Sequence, residues 1–251
     1  MIDTISSKRV GAPWAIALWV MLTVGLAACS SDEDDAVGAA PGGDLVAKLV
    51  EDVVIVSPVE DTATGEPTTD IATTVFVPEH YEGDTYPLIL HSHGWGGSRK
   101  SNESTTEYPA GTPLGFFLNI DSLIPGLVEA GYAVISFDER GGGDSGGQAK
   151  SMNPDFETVD AMAVLDWAES NLDLEYRDGT PLVGAMGGSY GGGFQHNLAM
   201  LDPRIDAVIP GATWYSLVRA LTPNGVMKKH WTEVLCIAGR HTRGAGPPRG
   251  S

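Results

Sequence analysis

Five residues around position 189 combine a hydroxyl group with the backbone freedom that nucleophilic chemistry needs. Gly187-Gly188-Ser189-Tyr190-Gly191 matches the pattern G-x-S-x-G, follows the apolar run 181–186 and begins a stretch with helical spacing. A serine at such a strand-to-helix turn has its hydroxyl exposed above the sheet, and the helix N-terminus favours negative charge beside it. We therefore predict that Ser189 is a nucleophile. The alternative is a glycine-rich turn whose serine only caps the helix.

A second glycine-rich segment, His93-Gly94-Trp95-Gly96-Gly97, follows an early apolar run. In hydrolases with a strand–turn–helix nucleophile, two backbone N–H groups bind the oxyanion that forms during acyl transfer. One belongs to such a loop and the other to the residue after the nucleophile. Trp95 and Tyr190 are therefore the predicted donors. The glycines that flank Trp95 allow the backbone to turn there.

Two histidines before this loop permit a different chemistry. His91 and His93 are two residues apart on a predicted strand, so their side chains would face the same side and could bind zinc. A metal hydrolase needs further ligands, and no matching cluster of histidine and aspartate follows. We therefore predict no metal and no cofactor, with His91 ending a strand and His93 ordering the loop.

The glycine-rich segment 138–147, DERGGGDSGG, resembles a phosphate cradle by composition alone. It is not a P-loop, because the pair Lys150-Ser151 that follows is preceded by Ala149 and not by the glycine that the pattern G-x-x-x-x-G-K-[ST] requires. We predict a structural turn that Asp138 and Arg140 fix by charge-assisted hydrogen bonds.

The remaining segments alternate between continuous apolar runs and stretches of helical spacing. Such runs are typical of strands buried on both faces of a mostly parallel sheet, and their alternation with helices predicts an α/β fold with helices flanking the sheet. In the longest predicted helix, Glu157 and Asp160 lie away from the apolar side. The predicted strands are 53–56, 71–77, 87–91, 132–137, 181–186 and 205–209, with a further strand-like run at 234–237, and the predicted helices are 122–130, 156–172 and 190–201.

The N-terminus has the features of an export signal. Lys8 and Arg9 precede an apolar run that ends in Leu26-Ala27-Ala28-Cys29. The tetrapeptide resembles a bacterial lipobox, in which the cysteine is lipidated and becomes the new N-terminus. Residues 1–28 are therefore predicted to be a lipoprotein signal peptide. A plain transmembrane helix is the alternative, because the apolar run is close to the spanning length.

Lipidation of Cys29 would attach the protein to the bacterial cell envelope, and Ser30 after it favours the outer membrane. Residues 29–43, rich in Ser, Asp, Gly and Ala, read as a flexible acidic tether to a domain over 44–238. The second cysteine, Cys236, lies in an apolar run and is predicted to be a small buried hydrophobic residue.

The bulk composition limits the partners. The net charge of −18 argues against nucleic acid, because few basic residues could neutralise a phosphate backbone. The hydrophobic share of 42% is sufficient for a folded domain. The predicted partners are a small-molecule or peptide acyl substrate and, through the lipid, a membrane.

Four segments together resemble the α/β-hydrolase superfamily and, within it, the branch of acyl hydrolases that are similar to Xaa-Pro dipeptidyl-peptidases and cocaine esterases. They are HGWGG at 93–97, DERGGGDSGG at 138–147, GGSYGG at 187–192 and LDPRIDAVIP at 201–210. The resemblance covers about residues 70 to 235. It implies a cofactor-free serine hydrolase that cleaves an ester or amide with a Ser-His-Asp triad.

The triad order of the family, serine then acid then histidine, is not completed in this chain. His196 lies on the helix after Ser189, and His230 and His241 have no convincing acid between them and the serine. Asp202 and Asp206 come too early after the nucleophile. The acid and the base are therefore not identified from the sequence.

The last residues change in character. Residues 239–251 contain three arginines with glycine and proline and no acidic residue, in a chain that is otherwise strongly acidic. We interpret this tail as aberrant, from truncation or a frameshift, and expect a hydrolase domain that is incomplete at its C-terminal end. An inactive truncated lipoprotein with a ligand-binding role is the alternative function.

Overall fold

The computed structural model describes residues 43–102 and 120–241. Apolar runs with several β-branched residues form most of its longer strands, because such side chains pack well on a pleated surface. The strands are β1 Leu45–Val46, β2 Leu49–Ser57, β3 Thr69–Val77, β4 His80–Tyr81, β5 Leu88–Ser92, β6 Ala133–Phe137, β7 Tyr176–Arg177, β8 Thr180–Pro181, β9 Val183–Gly188 and β10 Ile205–Gly211.

Six of these strands form the central sheet in the order β10-β9-β5-β6-β3-β2. β10, β9, β5 and β6 are parallel, whereas β3 and β2 extend the sheet antiparallel. Leu88, Val134 and Ile135 are completely buried, as expected for strands covered on both faces. The predicted α/β architecture with a mostly parallel sheet is confirmed.

Helices connect these strands and cover the sheet. They are α1 Ile124–Glu129, α2 Glu157–Asn171, α3 Tyr190–Leu201, α4 Leu217–Leu221 and α5 Lys229–His241, with 3₁₀ turns at Ile120–Leu123 and Pro223–Gly225. The strand order reverses between β5 and β9, because the chain continues from β5 to β6 on one side and later returns to β9 on the other. In open α/β sheets a ligand crevice forms outside the carboxyl ends of the strands at such a reversal.

The C-terminal run 234–237 does not form the predicted strand. It lies in α5, where Leu235 and Ala238 are half-buried and Cys236 is exposed. The prediction of a buried Cys236 is therefore wrong. Four consecutive apolar residues do not distinguish a strand from a helix, and in a helix they point in four different directions, so only some of them reach the protein.

Several predictions concern parts of the chain outside the described ranges. They are the signal peptide, the lipidation site Cys29, nearly all of the acidic tether and residues 242–251 of the basic tail. Of the helices within residues 43–102 and 120–241, none combines the length and the apolarity that crossing a membrane requires.

Candidate active site

Ser189 occupies a strained turn between β9 and α3. Its backbone has φ 54° and ψ −111°, a region that residues with a side chain rarely adopt. Its N–H donates to the Gly211 carbonyl of β10 at 2.8 Å, while its own carbonyl accepts from Gly192 N–H at 3.0 Å. Non-glycine residues held in such conformations cluster at functional sites, because the surrounding fold must enforce them.

Close backbone packing explains the glycines on either side of the serine. A Cβ atom on Gly187 would lie 2.5 Å from the Gly191 carbonyl oxygen, and one on Gly191 would overlap the Ser92 carbonyl of β5. The turn therefore fits against β5 only when both positions lack a side chain. This close contact explains why the pattern G-x-S-x-G has glycine two residues before and two residues after the serine.

The loop after β5 lies next to the serine. A Cβ atom on Gly94 would be 3.7 Å from the Ser189 Cβ. Gly97 N–H donates to the Gly94 carbonyl at 2.9 Å, and Gly96 has φ +89° at the third position of this turn. Trp95 occupies the second position, so closing the turn does not use its N–H.

Tyr190 is the first residue of α3, and its N–H belongs to the first helical turn, where N–H groups have no acceptor within the helix. The Tyr190 ring packs between two tryptophans, with ring centroids 5.0 Å from Trp95 and 6.2 Å from Trp214. The Trp95 indole N–H donates to the Leu235 carbonyl of α5 at 2.9 Å. The two predicted oxyanion residues are thus in contact beside Ser189.

The described residues do not supply a base for this serine. The Ser189 hydroxyl has no hydrogen-bond partner within residues 43–102 and 120–241. His196 lies exposed on α3, and the His230 side chain is fully exposed near Glu233. Asp202 pairs with Arg204, and Asp206 accepts from Val183 N–H, so both acids have structural roles.

The two histidines of the zinc alternative are occupied by other groups. His91 Nδ1 is 2.9 Å from the Ser136 hydroxyl, and burial, with smaller effects from His93 and Lys100, lowers the pKa of His91 to about 3. His93 Nδ1 is 2.8 Å from the Gly94 carbonyl, and its Nε2 accepts from Glu139 N–H at 3.3 Å. His93 therefore orders the loop, as predicted. No group of three or more His, Cys, Asp or Glu side chains suited to a metal ion occurs among the described residues.

The segment 138–147 is a structural turn, and Asp138 and Arg140 hold it by charge-assisted hydrogen bonds to other segments. Buried Asp138 accepts from the Arg99 guanidinium at 2.6 Å and from Asp144 N–H at 2.9 Å. Buried Arg140 donates to both oxygens of Asp160 on α2, at 2.6 and 2.7 Å. The prediction that Asp160 lies away from the buried side of α2 is therefore wrong. Asp160 is buried because it is paired with Arg140.

Glu139, within the same turn, is buried beside the loop 93–97. Neither of its carboxyl oxygens has a hydrogen-bond partner in the described part of the chain. Burial raises the pKa of Glu139 well above its ordinary value. The nearby Glu157, Asp160 and Asp138 add to this rise. Glu139 lines a small cavity together with His93, Trp95 and Tyr190.

The profile of the X-Pro dipeptidyl-peptidase (S15) family matches residues 66–243, more than half of the chain. The chain belongs to the S15 family. Its fold is the α/β-hydrolase fold. Its structure is similar to that of the Pyrococcus furiosus esterase Pf2001, with a TM-score of 0.51 at 18% identity, over 78% of this chain and 62% of that one.

Curated relatives of this S15 member match part of the chain. The uncharacterized protein YcjY of Escherichia coli K12 is 32% identical over 149 residues, which are 59% of this chain and 42% of that protein. A lysophosphatidylserine lipase, ABHD12 of Xenopus tropicalis, is 34% identical over 114 residues, 45% of this chain and 23% of that protein. The chain spans about two fifths of the length of the bacterial relatives it matches.

Sequence reasoning missed one group of this S15 site. Glu157, the first residue of α2, is completely buried and accepts the Tyr190 hydroxyl at 3.0 Å. On a helical projection it lies with the polar residues, so its pattern indicates exposure. An acid at a helix N-terminus is also common on surfaces, where the helix dipole favours it. Only the fold shows that Tyr190, the residue after Ser189, is the hydrogen-bond partner of Glu157.

Proposed function

We propose that this S15 family member is a serine hydrolase of esters or amides with Ser189 as its nucleophile. The Ser189 oxygen attacks the acyl carbonyl carbon, and the hydroxyl proton passes to a base. The tetrahedral oxyanion accepts hydrogen bonds from the N–H groups of Trp95 and Tyr190. Its collapse expels an alcohol or an amine, which takes the proton from the base, and leaves an acyl-enzyme. Water then attacks the acyl-enzyme, releases the acid and returns a proton to the serine.

One observation carries this proposal. Ser189 has a backbone conformation that costs about 1–3 kcal/mol, and a serine that only capped a helix would not need it. A capping serine also bonds an N–H of the first helical turn with its side chain, and Ser189 makes no such bond to α3. The strain is instead consistent with a hydroxyl that is held free of the helix and can attack a substrate.

A fluorophosphonate probe tests the proposal, because it forms a covalent bond with an activated serine. The full chain should be labelled, and Ser189→Ala should remove the label. Ser216→Ala is the matched control, since Ser216 caps α4 through an ordinary side-chain bond to Arg219 N–H. Equal labelling of the Ser189→Ala variant, or none of the unaltered chain, would favour the ligand-binding alternative.

We also propose that the chain is exported and anchored by a lipid on Cys29, with the outer membrane as its destination. The support is the basic, apolar and small-residue order of positions 8–29. Expression in a bacterium fed a radioactive fatty acid should label the chain. Cys29→Ser should abolish this label, whereas Cys236→Ser, which changes the exposed cysteine of α5, should leave it intact.

A further inference from the structure

We propose that Glu157 is a positioning residue that fixes the backbone amide of Tyr190 for oxyanion binding, through the hydroxyl of the Tyr190 side chain. The inference rests on the proposed function, since it concerns how one of the two oxyanion donors is held. It assigns a task to a completely buried acid that takes no part in the reaction itself.

The first support is the set of bonds that Glu157 makes. One carboxyl oxygen accepts the Tyr190 hydroxyl at 3.0 Å and the N–H of Lys150, and the other accepts the N–H of Asn153 at 3.0 Å. These donors belong to α3 and to the loop before α2. A buried carboxyl with three donors from two segments holds those segments in one arrangement.

The second support is the conformation of that loop. Ser151 and Met152 both have positive φ, 60° and 61°. Lys150 and Asn153, whose N–H groups donate to Glu157, lie on either side of this strained pair. Buried Met152 packs against Gly193 of α3, and a Cβ atom on Gly193 would be 2.9 Å from the Met152 side chain. Asn197 of α3 donates to the Met152 carbonyl at 2.8 Å. The loop therefore supports the helix that begins at Tyr190.

The third support is that the Tyr190 ring has little room to move. It packs against Trp95 and Trp214, and its hydroxyl is anchored at the far end by Glu157. Burial raises the pKa of Tyr190 above its ordinary value, as do the nearby Glu157 and Glu139. The hydroxyl thus keeps its proton and acts as the donor. A ring fixed at both ends fixes the Cα atom and the amide attached to it.

The test measures the rate of fluorophosphonate labelling of the full chain, separated into the maximal labelling rate and the half-saturating probe concentration. Tyr190→Phe removes only the hydroxyl, and Glu157→Gln keeps the size of the side chain. A displaced oxyanion donor lowers the rate of the chemical step. Each variant should label about tenfold more slowly at saturation, with an unchanged half-saturating concentration. The double variant should lose no more than the slower single variant, because both remove the same interaction.

Two matched variants separate positioning from general damage. Tyr86→Phe removes the hydroxyl of another buried tyrosine, which accepts Asp173 N–H at 3.4 Å. Asp61→Asn alters another buried carboxylate that accepts backbone N–H groups. Both should lower the melting temperature and leave the labelling rate unchanged. Unchanged labelling of Tyr190→Phe, a loss that appears only in the half-saturating concentration, or equal slowing by the matched variants would overturn the proposal.

Hydrogen exchange keeps this inference distinct from the proposed function. In Glu157→Gln, amide exchange of the segment 187–194 should become faster than in the unaltered chain, while exchange in β6 should not change. If the unaltered chain fails to label and this exchange difference is present, the hydrolase proposal fails and the positioning of Tyr190 stands. If the exchange difference is absent, the positioning fails whatever the labelling shows.

Discussion

Replacing Asp160 by asparagine should destabilise the protein strongly, because it breaks an ion pair that water does not reach. The Arg140 side chain is 0% exposed and that of Asp160 is 1% exposed, and two hydrogen bonds join them. Removing one partner of a buried pair costs about 3–5 kcal/mol, since the other charge is left uncompensated. For a chain of this size each kcal/mol lowers the melting temperature by about 2–4 °C, so we expect a decrease of about 6–20 °C.

Asp166→Asn is the matched control, because it breaks an arginine pair on the same helix at the surface. Asp166 lies 2.7 Å from Arg204, with 68% of its side chain exposed, and Arg204 keeps Asp202 and Glu169 as partners. Exposed pairs contribute about 0–1 kcal/mol, so the melting temperature should decrease by less than about 4 °C.

Thermal unfolding followed by circular dichroism at pH 7 provides the comparison. The double change Arg140→Met with Asp160→Leu should recover most of the lost stability, because apolar residues of similar volume remove the unpaired charge. Similar decreases for Asp160→Asn and Asp166→Asn would refute the reasoning that burial, rather than the presence of a pair, sets the cost.

Three further predictions concern buried groups near the site. Glu139→Gln should raise the free energy of unfolding at pH 8 and change it little at pH 4, as measured by urea unfolding at both pH values. The raised pKa of folded Glu139 means that the unfolded chain loses this proton first as the pH increases, which favours unfolding, and glutamine removes that effect. His91→Asn should reduce the loss of stability between pH 6.5 and pH 4, which a pH series of melting curves measures. In that range the unfolded chain binds a proton at His91, whereas folded His91, with a pKa of about 3, stays neutral. Gly191→Ala should abolish labelling of Ser189 and destabilise the fold by about 1–3 kcal/mol through its overlap with Ser92, although alanine is the better helix former; a folded, fully labelled variant would contradict this.

The parts of the fold that depend on local pattern were predictable. The segment 132–137 is apolar apart from Ser136 because β6 is covered on both faces, and the glycines around Ser189 are needed where the turn contacts β5. Trp95 was predicted beside the serine from the arrangement general to hydrolases with such a turn, and its loop does follow a strand that lies next to β9. For β6 and the serine turn, the residue type and its immediate neighbours determine the position.

The parts that depend on distant partners were not predictable. Asp160 is buried because it pairs with Arg140, which lies twenty residues away in sequence. Glu157 is buried with Tyr190, which is farther away still, as a hydrogen-bond donor. The run 234–237 forms a helix because the surrounding residues extend it and because Trp95 contacts the Leu235 carbonyl. Such pairings arise only from the assembled fold, and a periodicity in one segment does not encode them.

The conformation of Ser189 also implies an order of events when the protein folds or is heated. The turn is held by the Gly211 carbonyl of β10 and by contact with the end of β5, so it is stable only after both strands lie beside β9. The sheet can therefore exist without the strained turn, but the turn cannot exist without the sheet. Reactivity should be acquired last during folding and lost first on heating, at temperatures where the core is still intact.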